Sequence, residues 1–144
     1  MKKIITLIMA AILSIGAISA RDTFTSDPKA LPAGAQKTLT QFFKKAKVDH
    51  IKIDRNIGGA DYDVILNDGT EIEFNSHGEL KEVESYSGIP TGLMPAAVGK
   101  YLNANYKGQK IVKLDVKRNK YELELQSGIE LEFDRSGRFL RLDR

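Results

Sequence analysis

Cysteine and tryptophan are absent from the 144 residues, proline occurs four times, and the only histidines are His50 and His77. Without cysteine there is no disulfide, thiolate zinc site, iron–sulfur cluster, cysteine nucleophile or thiol-linked lipid anchor. The two histidines lack close ligand spacing, so no metal and no other cofactor is expected. No serine stands in a Gly-x-Ser-x-Gly turn, which removes the serine-hydrolase elbow. Beyond residue 20 no apolar run is long enough to span a bilayer. A large excess of one charge is missing as well: 22 Lys+Arg face 19 Asp+Glu. What remains is a chain with 42% hydrophobic residues. That is enough for a packed core, at a length that suits one domain.

The first twenty residues read as an address. Met1-Lys2-Lys3 is a positive start, Ile4 to Ala20 is almost wholly apolar, and Ala17-Ile18-Ser19-Ala20 supplies small residues before Arg21-Asp22. This pattern predicts a signal peptide over 1–20, cut after Ala20, and a periplasmic or secreted mature chain over 21–144 with no membrane anchor. Lys2 and Lys3 belong to that segment, so the basic lean mostly leaves with it. Nucleic acid is not an expected partner.

The mature chain is one unit written twice. Residues 61–80 and 120–139 share seven of twenty positions at an offset of 59: Tyr62/Tyr121, Leu66/Leu125, Gly69/Gly128, Glu71/Glu130, Glu73/Glu132, Phe74/Phe133 and Gly78/Gly137. Chance gives about one or two. The copies run over about 31–84 and 89–143. Each opens with a helix. Leu39, Phe42, Phe43 and Ala46 form one apolar face in the first, and the second is expected from Pro95 to Tyr106. Four strands follow in each copy: His50–Arg55, Asp61–Leu66, Thr70–Asn75 and Leu80–Glu84, then Ile111–Lys117, Tyr121–Leu125, Ile129–Asp134 and Arg138–Leu142. Apolar and charged residues alternate strictly in the middle strands. The expected fold is α+β: two tandem helix-plus-four-strand repeats forming one antiparallel sheet, helices packed on one face and a charged face opposite.

The hairpin register follows from the alternation. Loops Asn67-Asp68-Gly69 and Gln126-Ser127-Gly128, with glycine at the left-handed position, place Val64 against Ile72, Tyr62 against Phe74, Leu123 against Leu131 and Tyr121 against Phe133. A two-residue loop would mix core with charge. The same register sets Glu124 against Glu130, Glu122 against Glu132 and Asp63 against Glu73, and like charges directly opposite destabilise a sheet. Three readings stand. Lys52, Lys113, Lys117, Arg138 and Arg141 on neighbouring strands neutralise them. Alternatively, the acids form a stripe that docks a basic partner. The third is paired carboxylates for glycoside cleavage, which require a pocket. The candidate binding residues are Asp63, Glu71, Glu73, Glu122, Glu124, Glu130 and Glu132, with Lys52 and Lys113 at the rim.

The repeated motif is Leu/Ile-Pro, an amphipathic helix, then Tyr-x-(apolar)-x-Leu-x-x-Gly-x-Glu-(apolar)-Glu-Phe-x-x-x-Gly. Carried by Leu31–Glu84 and Ile89–Asp143, it resembles the PepSY-like family of bacterial envelope proteins, whose fold is similar to the β-lactamase inhibitor protein. Where members often carry Trp after the last glycine, this chain has Leu80 and Phe139. The resemblance implies one sheet with helices on one face and an open face opposite, and a protein-inhibitor role in the envelope. The expected function is therefore a non-enzymatic protein-binding module that uses the open charged face, with an envelope protein or peptidase as partner. The alternative is a small-ligand or peptide carrier with a site between the repeats, near Ser85–Pro90.

Overall fold

The computed structural model describes residues 22–143; the expected signal peptide lies outside the described residues. Two helices, α1 (Ala33–Phe42) and α2 (Ala96–Asn105), accompany nine strands. These are β1 (Asp22–Thr25), β2 (Val48–Asn56), β3 (Gly59–Leu66), β4 (Glu71–Phe74), β5 (Leu80–Glu84), β6 (Ile111–Val116), β7 (Lys120–Leu125), β8 (Glu130–Asp134) and β9 (Phe139–Asp143). They form one sheet in chain order, every neighbouring pair antiparallel. The repeats are joined by β5 pairing with β6, Val83 opposite Leu114.

The expected hairpin registers are those observed. Tyr62 faces Phe74 and Val64 faces Ile72, while Tyr121 faces Phe133 and Leu123 faces Leu131. Gly69 and Gly128 have φ of 85° and 86°, the left-handed backbone that these three-residue turns demand. The strand count departs from expectation by one. Residues Asp22–Thr25, beside the expected cleavage point in sequence and too short to show a period, pair with β2 and become an edge of the sheet.

The core lies between the helices and the apolar side of the sheet. Ala35 and Leu39 of α1 and Val98 and Leu102 of α2 are buried with Ile51, Val64, Ile72, Phe74, Val83, Leu114, Leu123, Leu131 and Phe133. Both helices start directly after a proline, whose missing N–H costs nothing there. Helix α1 ends at Phe42, one turn short of the apolar face read over Leu39–Ala46. Phe43 and Ala46 still pack on the core from the following loop. Phe42 instead lies against Gly92 of the second repeat, where a Cβ would come within 2.9 Å of its ring.

Candidate functional site

On the sheet face away from the core, strand pairing aligns acidic residues from both repeats. One row runs Lys52, Asp63, Glu73, Glu82, Asp115, Glu122, Glu132, Arg141, each the direct cross-strand neighbour of the next. Six carboxylates on six adjacent strands thus stand between two terminal cations, spanning roughly 24 Å at the usual strand spacing. A second row runs Glu71, Glu84, Lys113, Glu124, Glu130, Asp143. All the candidate acids of the sequence lie on these two rows. Lys52 ends the row on β2, one strand in from the β1 edge, and pairs with Asp22 of β1 at 3.5 Å. Lys113 is not at the expected rim: it stands on β6 in the middle of the sheet, because the repeats join edge to edge and turn an end of the second unit into the centre of the whole.

Alternation exposed the acids within each hairpin but missed Glu82 and Asp115, which complete the row. They come from different repeats and meet only through the β5–β6 pairing. No turn fixes that register, so the sequence carries no local signal for it.

Cations on the same face hold part of this charge. Lys120 reaches Glu122 at 2.8 Å and Glu132 at 3.1 Å, and Arg141 closes on Glu132 at 3.1 Å. These bonds hold the Glu132 carboxyl below its ordinary range, those from Lys120 counting most. Lys81 bonds Glu73 at 2.8 Å, and Lys113 lies 3.0 Å from Glu84 and 3.3 Å from Glu82. Two expected neutralisers do other things. Arg138 pairs with Asp134 within the last turn, and Lys117 makes no carboxylate pair among the described residues. Lys81 and Lys120 take their place, the first because a bulge between Glu73 and Phe74 shifts the register of β5.

Burial, with the remaining repulsion added to it, raises the proton affinity of several of these acids. Burial and then Glu73 push Asp63 up; burial and then Glu130 push Glu124 up. The centre of the row is affected most. Burial, followed by hydrogen bonds with Asp115 and Glu84, raises Glu82 to about 7. Glu82, at the junction of the repeats, thus keeps its proton to higher pH than an ordinary carboxyl. The unfolded chain, with an ordinary carboxyl near 4.5, releases this proton first as pH rises. The stabilisation is complete below that value and is lost as pH climbs to about 7. Glu82→Gln is expected to flatten this part of the profile, read from urea midpoints at about pH 5 and about pH 8. An unchanged difference between those two midpoints would remove Glu82 as its source.

The second-repeat half of the face is hollowed into a depression of about 430 Å³, its walls including Lys113, Asp115, Lys120, Glu122, Glu124 and Glu132. Among the described residues no group of three His, Asp or Glu side chains is arranged to hold a metal ion, and no helix is long and apolar enough to cross a membrane. At the seam near Ser85–Pro90, where the alternative reading places a carrier site, Ser85 and Ile89 are buried, at 4% and 5% exposure, while Tyr86 is exposed. The Ser85 and Ile89 N–H groups donate to Val112 and Ile111, and the Ser85 hydroxyl bonds that of Thr70 at 2.9 Å.

The family model described as "putative beta-lactamase-inhibitor-like, PepSY-like" matches residues 60–141. Among solved structures, a "putative periplasmic protein of unknown function" of Bacteroides vulgatus is 41% identical, with a TM-score of 0.75 over 85% of this chain and 99% of its own. A second "putative periplasmic protein" of the same species is 30% identical, with a TM-score of 0.76 over 88% of this chain and 99% of its own. A "putative calcium-regulated periplasmic protein" of Bacteroides thetaiotaomicron is 28% identical, with a TM-score of 0.75 over 85% and 97%. No curated protein matches the chain.

Proposed function

Because the chain belongs to the PepSY-like, β-lactamase-inhibitor-like family, we propose that it is an exported, non-enzymatic module that binds an envelope protein through its open sheet face, with inhibition of an envelope hydrolase as the mode of action. Export is supported by the signal-like residues 1–20 and by the periplasmic descriptions of its relatives. The observation that carries the binding reading is the row Asp63–Glu73–Glu82–Asp115–Glu122–Glu132. Stacking like charges across six strands works against the sheet, and the cations beside it are fewer than the acids. A basic segment of a partner, lying across the strands, would relieve the repulsion and gain both steering and register. The depression in the second repeat offers a seat for one Lys or Arg of that segment.

The test is capture from an envelope extract with the mature chain as bait, alongside the double charge reversal Glu122→Lys/Glu124→Lys. The parent is expected to hold a basic partner in a salt-dependent manner. The variant should weaken that complex by about tenfold or more. Addition of the parent, and not the variant, should slow the captured protein where it is a hydrolase. Equal capture of every envelope partner by parent and variant would rule out the open face as the docking surface.

A further inference from the structure

A groove of about 470 Å³ opens at the end of the seam opposite Ser85–Pro90. Its apolar part is Leu80, Leu93, Val116 and Tyr121, where core-side residues of β5, β6 and β7 meet the short turn before α2. Its polar part is dominated by cations: Lys81, Lys117, Arg118 and Arg135. Lys81 is engaged elsewhere, by Glu73 at 2.8 Å and Asp61 at 4.0 Å. The other three differ from the cations of the carboxylate rows. Lys52, Lys81, Lys113, Lys120 and Arg141 each have a carboxylate partner, whereas among the described residues Lys117, Arg118 and Arg135 have none. The one acid in the lining, Glu79, accepts a hydrogen bond from the Asn75 amide at 2.7 Å.

Arg135 is also held in place. Its guanidinium lies over the Tyr121 ring, 4.6 Å from the centroid, and donates to the Lys117 carbonyl at 3.2 Å. A stacked guanidinium anchored through one N–H keeps further donors for an anion. Lys117 and Arg118 stand beside it in the exposed β6–β7 turn. Half-covered Leu80, Leu93 and Val116, with buried Tyr121 beneath Arg135, lie next to three cations that have no carboxylate partner among the described residues. This matches one ligand chemistry, in a volume ordinary for small-molecule sites. We propose that this groove binds a small amphiphilic anion: a carboxylate or phosphate monoester carrying a short apolar chain. The head group would sit on Arg118 and Arg135, with the chain against Leu80, Leu93 and Val116. This site is separate from the carboxylate rows and stands or falls independently of the partner proposed for them.

The experiment titrates the mature chain with octanoate and octyl phosphate and follows backbone amide shifts by NMR. Octylammonium is the control for charge and acetate the control for the apolar chain. The two octyl anions should shift the amides of Leu93, Val116, Tyr121 and Arg135. Acetate should need at least about tenfold higher concentration for the same change, and octylammonium should leave these amides in place. Lys117→Glu/Arg118→Glu, in an exposed turn, should weaken octanoate binding about tenfold or more. Arg135→Gln should weaken it too, providing a second test if either variant folds poorly. The proposal is overturned by equal response to octylammonium, by shifts confined to other parts of the chain, by no shifts, or by variants that bind as the parent does. Anionic vesicles that bind the chain without monomeric octyl anions doing so would also overturn it, in favour of a lipid surface.

Discussion

Replacing Phe133 with alanine is expected to destabilise the protein by about 3–5 kcal/mol, the usual cost of emptying a large aromatic site in a core that relaxes only partly. Phe133 is fully buried. It meets Tyr101 edge-on at 5.3 Å and Phe139 edge-on at 5.8 Å, while Tyr101 and Phe139 stack at 4.6 Å. Its counterpart Phe74 is equally buried, but Phe42 and Leu80 take the places of Tyr101 and Phe139, and Phe42 turns away to cover Gly92. The loss at Phe133 should therefore exceed that of Phe74→Ala by about 0.5–1.5 kcal/mol, the worth of specific ring geometry beyond area. Urea unfolding of both variants measures the difference. Equal losses would show that the second repeat gains nothing from its aromatic cluster.

Gly78→Ala should be nearly as damaging, at about 2–5 kcal/mol from two sources. Its φ of 78° costs an L side chain about 1–2 kcal/mol. In addition, a Cβ there would lie 2.9 Å from Pro32 Cβ and 3.0 Å from the Ala35 backbone nitrogen, an overpacking that costs about 1–3 kcal/mol. Gly137 repeats the arrangement against Pro95 and Ala97 at 3.0 and 3.1 Å. Each copy thus seats its helix N-terminus on the turn between its last two strands. Gly69 and Gly128 isolate the first source, since they share the positive φ and have nothing within 4 Å of a Cβ. Gly69→Ala should cost only about 1–2 kcal/mol. If thermal or urea unfolding finds Gly78→Ala no worse than Gly69→Ala, contact with the helix is not what requires glycine at position 78.

These two pairs of glycines mark a boundary in what sequence can convey. Gly69 and Gly128 are legible because a hairpin is local. Loop length, alternation and one left-handed residue admit a single register, and with it come Asp63 opposite Glu73, Glu122 opposite Glu132 and Glu124 opposite Glu130. The helix contacts of Gly78 and Gly137 join segments that lie far apart in the chain, Pro32 and Ala35 for the first and Pro95 and Ala97 for the second, and nothing local encodes them. Lys117 reads as a neutraliser of the acidic strands although it lies in the basic groove; Lys120, whose place beside Glu132 follows from the legible β7–β8 hairpin register, does that work instead.

By itself the sequence determined the duplication, the sheet of paired hairpins, the two helices, the core face of each strand and the acids that point away from it. All of these rest on periods of two or 3.6 residues and on turns of three, interactions that neighbours along the chain specify. The tertiary structure alone decided how the two copies meet. The β5–β6 pairing set Glu82 beside Asp115, fused two short acidic pairs into one row of six, moved Lys113 from rim to centre, buried Ser85 and Ile89 at the seam and opened a cationic groove at its other end. β1 added the ninth strand in the same way. Those outcomes depend on the summed burial of both core faces, a long-range balance that no single segment contains.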